Sequence, residues 1–415
     1  MNRLLLVLLL GLSTPAAAET LGEAIGRAVA GNPTLAAARA RQDARAEAPA
    51  QARAAALPSA AVEGAVDYDR ESDGRTADVA VTAAMPIWTG GRVESALRVA
   101  KAEVKAGEEE LRDAQAGLLA EVVLSYADLL YQQQAVEVAK LGIGRLDRQV
   151  AEAQSRYRLG QATRTDVAQL EAQRASMAAA LAEAEGALAD ATARYTATIG
   201  EPQGALSADI SPPSGLPATL AEARGAAATA NPLLLRQQQL VEAARAGIDR
   251  ERAERAPAID LAGRYGRGTM LDNRPGAAFE TASVGVALRL PLLSGGMVRS
   301  RVREAQAMHR AEQFEYEAVG RSTTQSADSA WAALLAARNG LSANQLGLQA
   351  AEVALAGVRS EYRYGLRSTL DILVADQSLT AAQLAVARSR RDLLLAETDL
   401  LRVSGRLDTG SYAGS

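Results

Sequence analysis

From Arg92 to Leu159 the chain runs 68 residues without a proline, and from Met297 to Tyr364 it does so again. As one straight helix, each stretch would measure roughly 100 Å at 1.5 Å per residue. Ordinary globular helices are about three turns long, so a compact globular domain has no use for these two. The apolar positions Leu111, Ala114, Leu118, Val122, Ser125 and Leu129 step by three or four, the spacing of a helix packed lengthwise against others. Aromatic residues make up only 3% of the chain, with two Phe and two Trp. Such a chain suits thin helices packed closely through alanine better than a thick core.

The two stretches belong to a duplication. Pro86 and Pro291 lie 205 positions apart, as do Tyr126 and Trp331, Tyr157 and Tyr362, Gly160 and Gly365, and Asp166 and Asp371. Asn32-Pro33 and Asn231-Pro232 pair at an offset of 199, so a few insertions fall in the first third. Repeat 1 covers 19–199 and repeat 2 covers 218–405. The Pro- and Gly-containing segment 200–217 links them, and 406–415 reads as a flexible tail. Within each repeat the expected order is helix, two strands, long helix, tight turn, helix. Asn-Pro opens the first helix, which Pro58 and Pro257 stop. The long helices are expected over 92–159 and 297–364, and the last helices over 165–198 and 369–404.

The strands, expected at about 58–88 and 257–293, alternate. Val62, Gly64, Val66 and Tyr68 fall on one face, with Glu63, Ala65 and Asp67 on the other. Asp73-Gly74 is a hairpin signal, after which Val79, Val81, Ala83 and Met85 follow at period two. In the second repeat Ile259, Leu261, Gly263 and Tyr265 alternate with Asp260, Ala262 and Arg264, and Val284, Val286, Leu288 and Leu290 follow. Period-two alternation puts one face against something apolar and the other against water. Four strands are too few to close a barrel, so strands in lipid must be completed by further chains. Both strand regions end on the same phrase, Pro86-Ile87-Trp88-Thr89-Gly90-Gly91 and Pro291-Leu292-Leu293-Ser294-Gly295-Gly296. The prolines are expected to end a strand near the membrane edge. Trp88 is placed as an interfacial aromatic, and the glycine pairs let the chain turn from strand into long helix.

Residues 1–18 read as a secretory leader: Arg3, an apolar run from Leu4 to Leu10, and Ala16-Ala17-Ala18 before Glu19. No other stretch is expected to span a membrane as a helix. With no cysteine, disulfides, thiolate metal sites and a lipidated N-terminal Cys are excluded. The formal charge of −4 argues against nucleic acid as a partner. His309 is the sole histidine and reads as a helix-surface residue, and Glu108-Glu109-Glu110 as a solvated helix face. The glycine pairs are followed by Arg92 and Met297, without the Gly-Lys-[Ser/Thr] ending of a phosphate loop. No catalytic, cofactor or metal constellation is expected, and so no enzyme. An exported, cysteine-free chain with alternating strands fits the Gram-negative outer membrane. The alternative is a periplasmic coiled-coil adaptor or scaffold protein without a barrel.

Taken together, the Asn-Pro openings, the two proline-to-glycine-pair junctions and the turns "RLGQATRTDVAQLEAQ" and "RYGLRSTLDILVADQ" resemble the outer membrane factor family. These are the TolC-like exit ducts of type I secretion and multidrug efflux. The resemblance implies a mainly α fold of two tandem repeats, with long coiled helices forming a periplasmic tunnel. Four strands per chain would contribute to a twelve-strand barrel in a homotrimer. It implies a periplasmic adaptor (membrane fusion protein) and an inner-membrane ABC or proton-driven transporter as partners. It also implies a closed entrance latched by Thr165 and Asp166 in repeat 1 and Tyr362 and Arg367 in repeat 2, with Asp371 in a ring of pore carboxylates. The second acidic position of that family pattern is Val374 here, with Asp376 two residues on, and Arg359 stands where an acidic or amide partner is usual.

Overall fold

The computed structural model describes residues 18–69, 74–271 and 278–412. The expected leader, apart from Ala18, lies outside the described residues, as does Asp73 of the hairpin signal. The elements run α1 (Leu21–Gly31), α2 (Pro33–Ala46), α3 (Ala48–Ala54), β1 (Ser59–Asp69), β2 (Gly74–Trp88), α4 (Arg92–Arg158) and α5 (Arg164–Ile199). The second repeat follows with α6 (Leu220–Ala230), α7 (Pro232–Ala253), β3 (Ala258–Met270), β4 (Ala278–Arg289), α8 (Met297–Arg363) and α9 (Thr369–Val403). Helices α4 and α8 have 67 residues each. The chain divides into two units. One comprises the chain up to Ala36 with Asp113–Asn231 and Thr323–Ser415, the other Ala37–Arg112 with Pro232–Ser322.

The second of these units carries a four-stranded antiparallel sheet in the order β1-β2-β3-β4. Val62 pairs with Val81, Val81 with Tyr265, Leu261 with Met85 on one side and Val286 on the other, and Ile259 with Leu288. Cross-strand partners share a face, so Val62, Val66, Val79, Val81, Met85, Leu261, Val284, Val286 and Leu288 make one apolar surface. Among the described residues nothing covers it: Val284 is 83% exposed and Leu288 67%. The opposite face is polar, and there Arg264 reaches Asp78 at 2.8 Å and Glu63 at 3.7 Å. Strands β1 and β4 each have one paired side and one open edge.

The prolines at the strand ends act differently from the sequence expectation. Pro86 lies inside β2 opposite Asp260, and the register shifts between Pro86 and Trp88. The missing N–H bends the ladder there without ending it. Strand β4 stops at Arg289, two residues before Pro291 and short of residue 293.

In the other unit each repeat opens with a helix that sequence reading missed, α1 or α6, ahead of the Asn-Pro pair. Asn32 explains why the break falls there. Its N–H closes α1 on Ala28 O at 2.8 Å. Its Oδ1 accepts from Thr34 N at 2.9 Å to cap the next helix, and its Nδ2 donates to Thr198 O at 3.0 Å near the end of α5. One residue thus satisfies orphan groups at three helix ends, two of them through its side chain. Asn231 repeats the last contact, donating to Val403 O of α9 at 2.8 Å. Asn231→Ala is expected to cost about 1–2 kcal/mol, read as a lower thermal midpoint, with Asn231→Asp failing to rescue because it supplies no donor.

Around these joints each repeat carries an ion pair whose partner beyond the last helix, Glu201 or Arg406, holds the same place with opposite charge. Arg27 of α1 meets Glu201 beyond α5 at 3.1 Å, and Glu222 of α6 meets Arg406 beyond α9 at 2.8 Å. Tyr126, fully buried, lies 2.9 Å from Glu19 O and 2.8 Å from Ser207 O, which pins the segment before α1 against the inter-repeat linker. Its counterpart Trp331 joins Ala223, Leu334 and Leu400 in an apolar cluster. The C-terminal segment is not free through 412. Leu407 and Tyr412 are buried, and the Tyr412 hydroxyl lies 2.6 Å from Thr398 Oγ1.

Helix α9 is long and apolar enough by composition to cross a membrane, contrary to the sequence expectation. Part of its apolar surface is committed elsewhere: Leu373 packs with α4 and α5, Leu379 with α8, and Leu400 with α6 and α8. It also carries Arg388, Arg390, Arg391 and Asp392 in its middle. It is a packed helix of the bundle.

Candidate gate at the two helical turns

Helices α4 and α5, and α8 and α9, are joined by turns built alike. Gly160 and Gly365 sit at φ 74° and 75°, where a side chain would be strained. Gln161 N donates to Arg156 O at 2.8 Å, and Leu366 N to Glu361 O at 3.0 Å. Thr163 then caps α5 and Ser368 caps α9. Each cap is closed by the residue three positions on: Asp166 accepts from Thr163 N at 2.9 Å, and Asp371 from Ser368 N at 2.8 Å. These hydrogen bonds hold both carboxyls below the usual aspartate range. A lowered carboxyl keeps its charge, and with it the cap, until the pH falls below that range.

Three of the four expected latch residues have partners within the chain. Asp166 is occupied with Thr163, and Thr165 is exposed in the first turn of α5. Arg367 Nε donates to Glu361 at 2.7 Å, which raises its pKa further. Tyr362 lies under the Arg156 guanidinium, 4.8 Å from ring centroid to carbon, a cation–π contact. Among the described residues, no ion pair or hydrogen bond links Thr165 or Asp166 to Tyr362 or Arg367. Sequence reading missed Arg156 and Glu361. They occupy the same place in the two repeats with opposite charge, and that reversal was the available signal. Leu159, Tyr364 and Leu366 are 70%, 79% and 74% exposed, so both turns end in uncovered apolar groups.

Asp376 behaves differently from a pore carboxylate. It is 3% exposed, held by Arg145 of α4 at 2.6 Å and by Arg359 of α8 at 3.5 Å.

The strand-to-helix junctions follow the glycine expectation. Gly90 and Gly91 take φ 64° and 84°, and Gly295 and Gly296 take 58° and 83°. A Cβ on Gly90 would run into Ala256 Cβ and lie 2.8 Å from Pro257 O, so that position needs glycine for space as well as for φ. Ser95 N and Ser300 N then donate to Gly91 O and Gly296 O, both at 3.0 Å, as α4 and α8 begin.

An uncovered apolar sheet face, two open strand edges and duplicated long helices define a membrane duct subunit. The family model for outer membrane efflux proteins matches residues 24–201 and 224–406, the two repeats, and the chain belongs to that family. It is 30% identical to the outer membrane efflux protein BepC of Brucella suis over 338 residues, 80% of this chain and 73% of that one. It is 26% identical to the alkaline protease secretion protein AprF of Pseudomonas aeruginosa over 324 residues, 76% of this chain and 66% of that one. Its fold is that of CusC (TM-score 0.80, 18% identity, covering 93% and 92% of the chains). It is equally that of VceC from Vibrio cholerae (TM-score 0.77, 21% identity, 93% and 96%). The chain is an outer-membrane exit duct of the efflux and secretion type.

Proposed function

We propose that three copies of this chain assemble into one duct, each giving β1–β4 to a twelve-strand barrel whose apolar face meets lipid. The observation that carries this is the sheet itself, which leaves two open edges and an apolar face uncovered in a single chain. Lipid tolerates no open strand edge, and β4 of one copy is free to pair with β1 of the next. The duct is passive. A periplasmic adaptor docks on its helical end, and an inner-membrane ABC or proton-driven transporter supplies the energy. The cargo is drugs or a secreted protein, a reading that the efflux and protease-secretion relatives support.

At rest the duct is narrowed where the two turns meet. Thr165 and Asp166 of one hairpin face Tyr362 and Arg367 of a neighbouring one, and three Asp371 carboxylates ring the pore and favour cations. Since Arg367 already bonds Glu361, the latch exchanges one exposed partner for another, which keeps opening inexpensive in free energy. In planar bilayers the wild-type chain is expected to show small, cation-favouring conductance. Arg367→Ser is expected to raise it severalfold, and Glu361→Gln, which breaks only the bond inside the chain, to leave it low. Unchanged conductance in Arg367→Ser would remove the latch assignment, and recovery of the protein wholly in the soluble periplasm would remove the duct.

A further inference from the structure

Helix α9 faces two neighbours at once. Leu373 packs with Leu146 and Ala153 of α4 and Leu170 of α5, while Ala375 and Leu379 pack with Leu355 of α8. Asp376 sits between these two contacts. Its Oδ1 accepts from Arg145 Nε of α4 at 2.6 Å and from Arg359 Nη2 of α8 at 3.5 Å. Arg145 Nη2 also donates to Thr380 Oγ1 at 3.0 Å, one turn further along α9. Side-chain exposures of 12% and 4% make Arg145–Asp376 the ion pair whose two members are jointly least exposed among the described residues.

The repeats show which half of this arrangement is inherited and which is added. Positions 359 and 376 correspond to 154 and 171, where Gln154 Nε2 donates to Glu171 at 3.0 Å. Each hairpin therefore has its own cross-link at this level. Arg145 is extra: it reaches from the first repeat's hairpin into the second's. The α4–α9 seam carries two more such pairs, Asp128 with Arg391 and Asp113 with Arg402 at 3.8 Å. In those the acid is on α4 and the base on α9, whereas at Arg145–Asp376 the order is reversed. A slide of α9 along α4 that brought Arg391 toward Arg145, or Asp376 toward Asp128, would oppose like charges. The seam is thus written for one register.

We propose that Asp376 is a positioning residue of the gate, a buried clasp that holds the α8–α9 hairpin against α4 in the resting duct. Unlike the exposed bonds at the turns, this pair is out of water; removing Asp376 leaves the Arg145 charge buried and uncompensated, and removing Arg145 leaves Asp376 only the more distant Arg359. Parting the two hairpins requires the clasp to break, so it sets how readily the entrance opens. The inference rests on the reading that the duct narrows and opens at the turns.

The test uses the full chain, purified as its oligomer and reconstituted in planar bilayers, with Arg367→Ser run alongside. Asp376→Asn and Arg145→Gln are each expected to raise the time spent open on the order of tenfold, the population shift that loss of one buried pair can supply. The double exchange R145D/D376R, made together with Arg359→Gln so that the new arginine does not face Arg359, is expected to return conductance toward wild type. A merely structural role would lower the yield of oligomer without opening the oligomers that form. Native conductance in Asp376→Asn beside a raised Arg367→Ser overturns the clasp alone, and native conductance in both overturns the gate reading as well. If Asp376→Asn does not assemble, the double exchange decides. Assembly with low conductance upholds the clasp, and failure to assemble or an open duct overturns it.

Discussion

Val286→Arg is expected to abolish recovery of the oligomer from the outer membrane. Val286 is 66% exposed in the middle of the apolar face, paired with Leu261, which in turn is paired with Met85. An arginine at such a depth costs about 2–4 kcal/mol on the lipid side of a barrel, and a closed assembly of identical chains meets that cost once per copy. Thr281→Arg, on the other face of the same strand opposite Gly266, is the matched control. It adds the same charge to the polar side, beside the face that carries Asp78 and Glu63, and is expected to leave assembly intact. Membrane fractionation followed by unheated gel electrophoresis reads both. Equal recovery of the two variants would mean that the sheet faces are assigned the wrong way round.

The second large effect concerns Gly405, which ends α9 with φ 68°. A Cβ there would collide with Ala230 O and lie 2.9 Å from Asn231 N, so the end of α9 is pressed against the joint between α6 and α7. Gly200, the same position of the first repeat, has φ 92° but nothing within 4 Å of an added Cβ. Gly200→Ala is therefore expected to cost only the backbone term, about 1–2 kcal/mol. Gly405→Ala adds an overlap that typically costs a further 1–3 kcal/mol. Loss of helical circular dichroism on heating should show a clearly lower midpoint for Gly405→Ala than for Gly200→Ala. Equal shifts would mean that the joint yields to a methyl group.

Periodicity made the long elements legible. A proline-free run stepping by three and four can be little else than a helix, and α4 and α8 begin at Arg92 and Met297, right after their glycine pairs. Alternation likewise gave the strand faces, because a residue's side of a sheet follows from parity alone. The offset of 205 carried the turns, since glycine, hydroxyl cap and aspartate recur together. What stayed hidden depends on which helices meet. Asn32 reads locally as a helix opener, and only the fold shows that its amide also closes α5, far along the chain. Asp376 reads as a displaced pore carboxylate until Arg145, on the other repeat, is found against it. Asp166 and Asp371 show the same limit from the other side. The local capping role is visible in the chain itself, whereas any role across a pore needs a neighbouring copy. Tyr412 was missed because a short terminal segment without periodicity gives no sign of the Thr398 hydroxyl beside it.

The opposed ion pairs at the repeat joints bear on how two similar halves avoid confusing each other. Arg27 belongs with Glu201, and Glu222 with Arg406. If α6 were to seat at the end of α5, Glu222 would confront Glu201, whereas α1 carries Glu23 in the place of Glu222 and would meet no such clash at Arg406. Like charges brought together disfavour the wrong match as opposite charges favour the right one. A half-length ancestor, identical to its neighbour, would have had no such means of telling itself apart. The reversal of sign between Glu201 and Arg406 gives a duplicated chain a way to refuse its second repeat's opening helix at the end of its first.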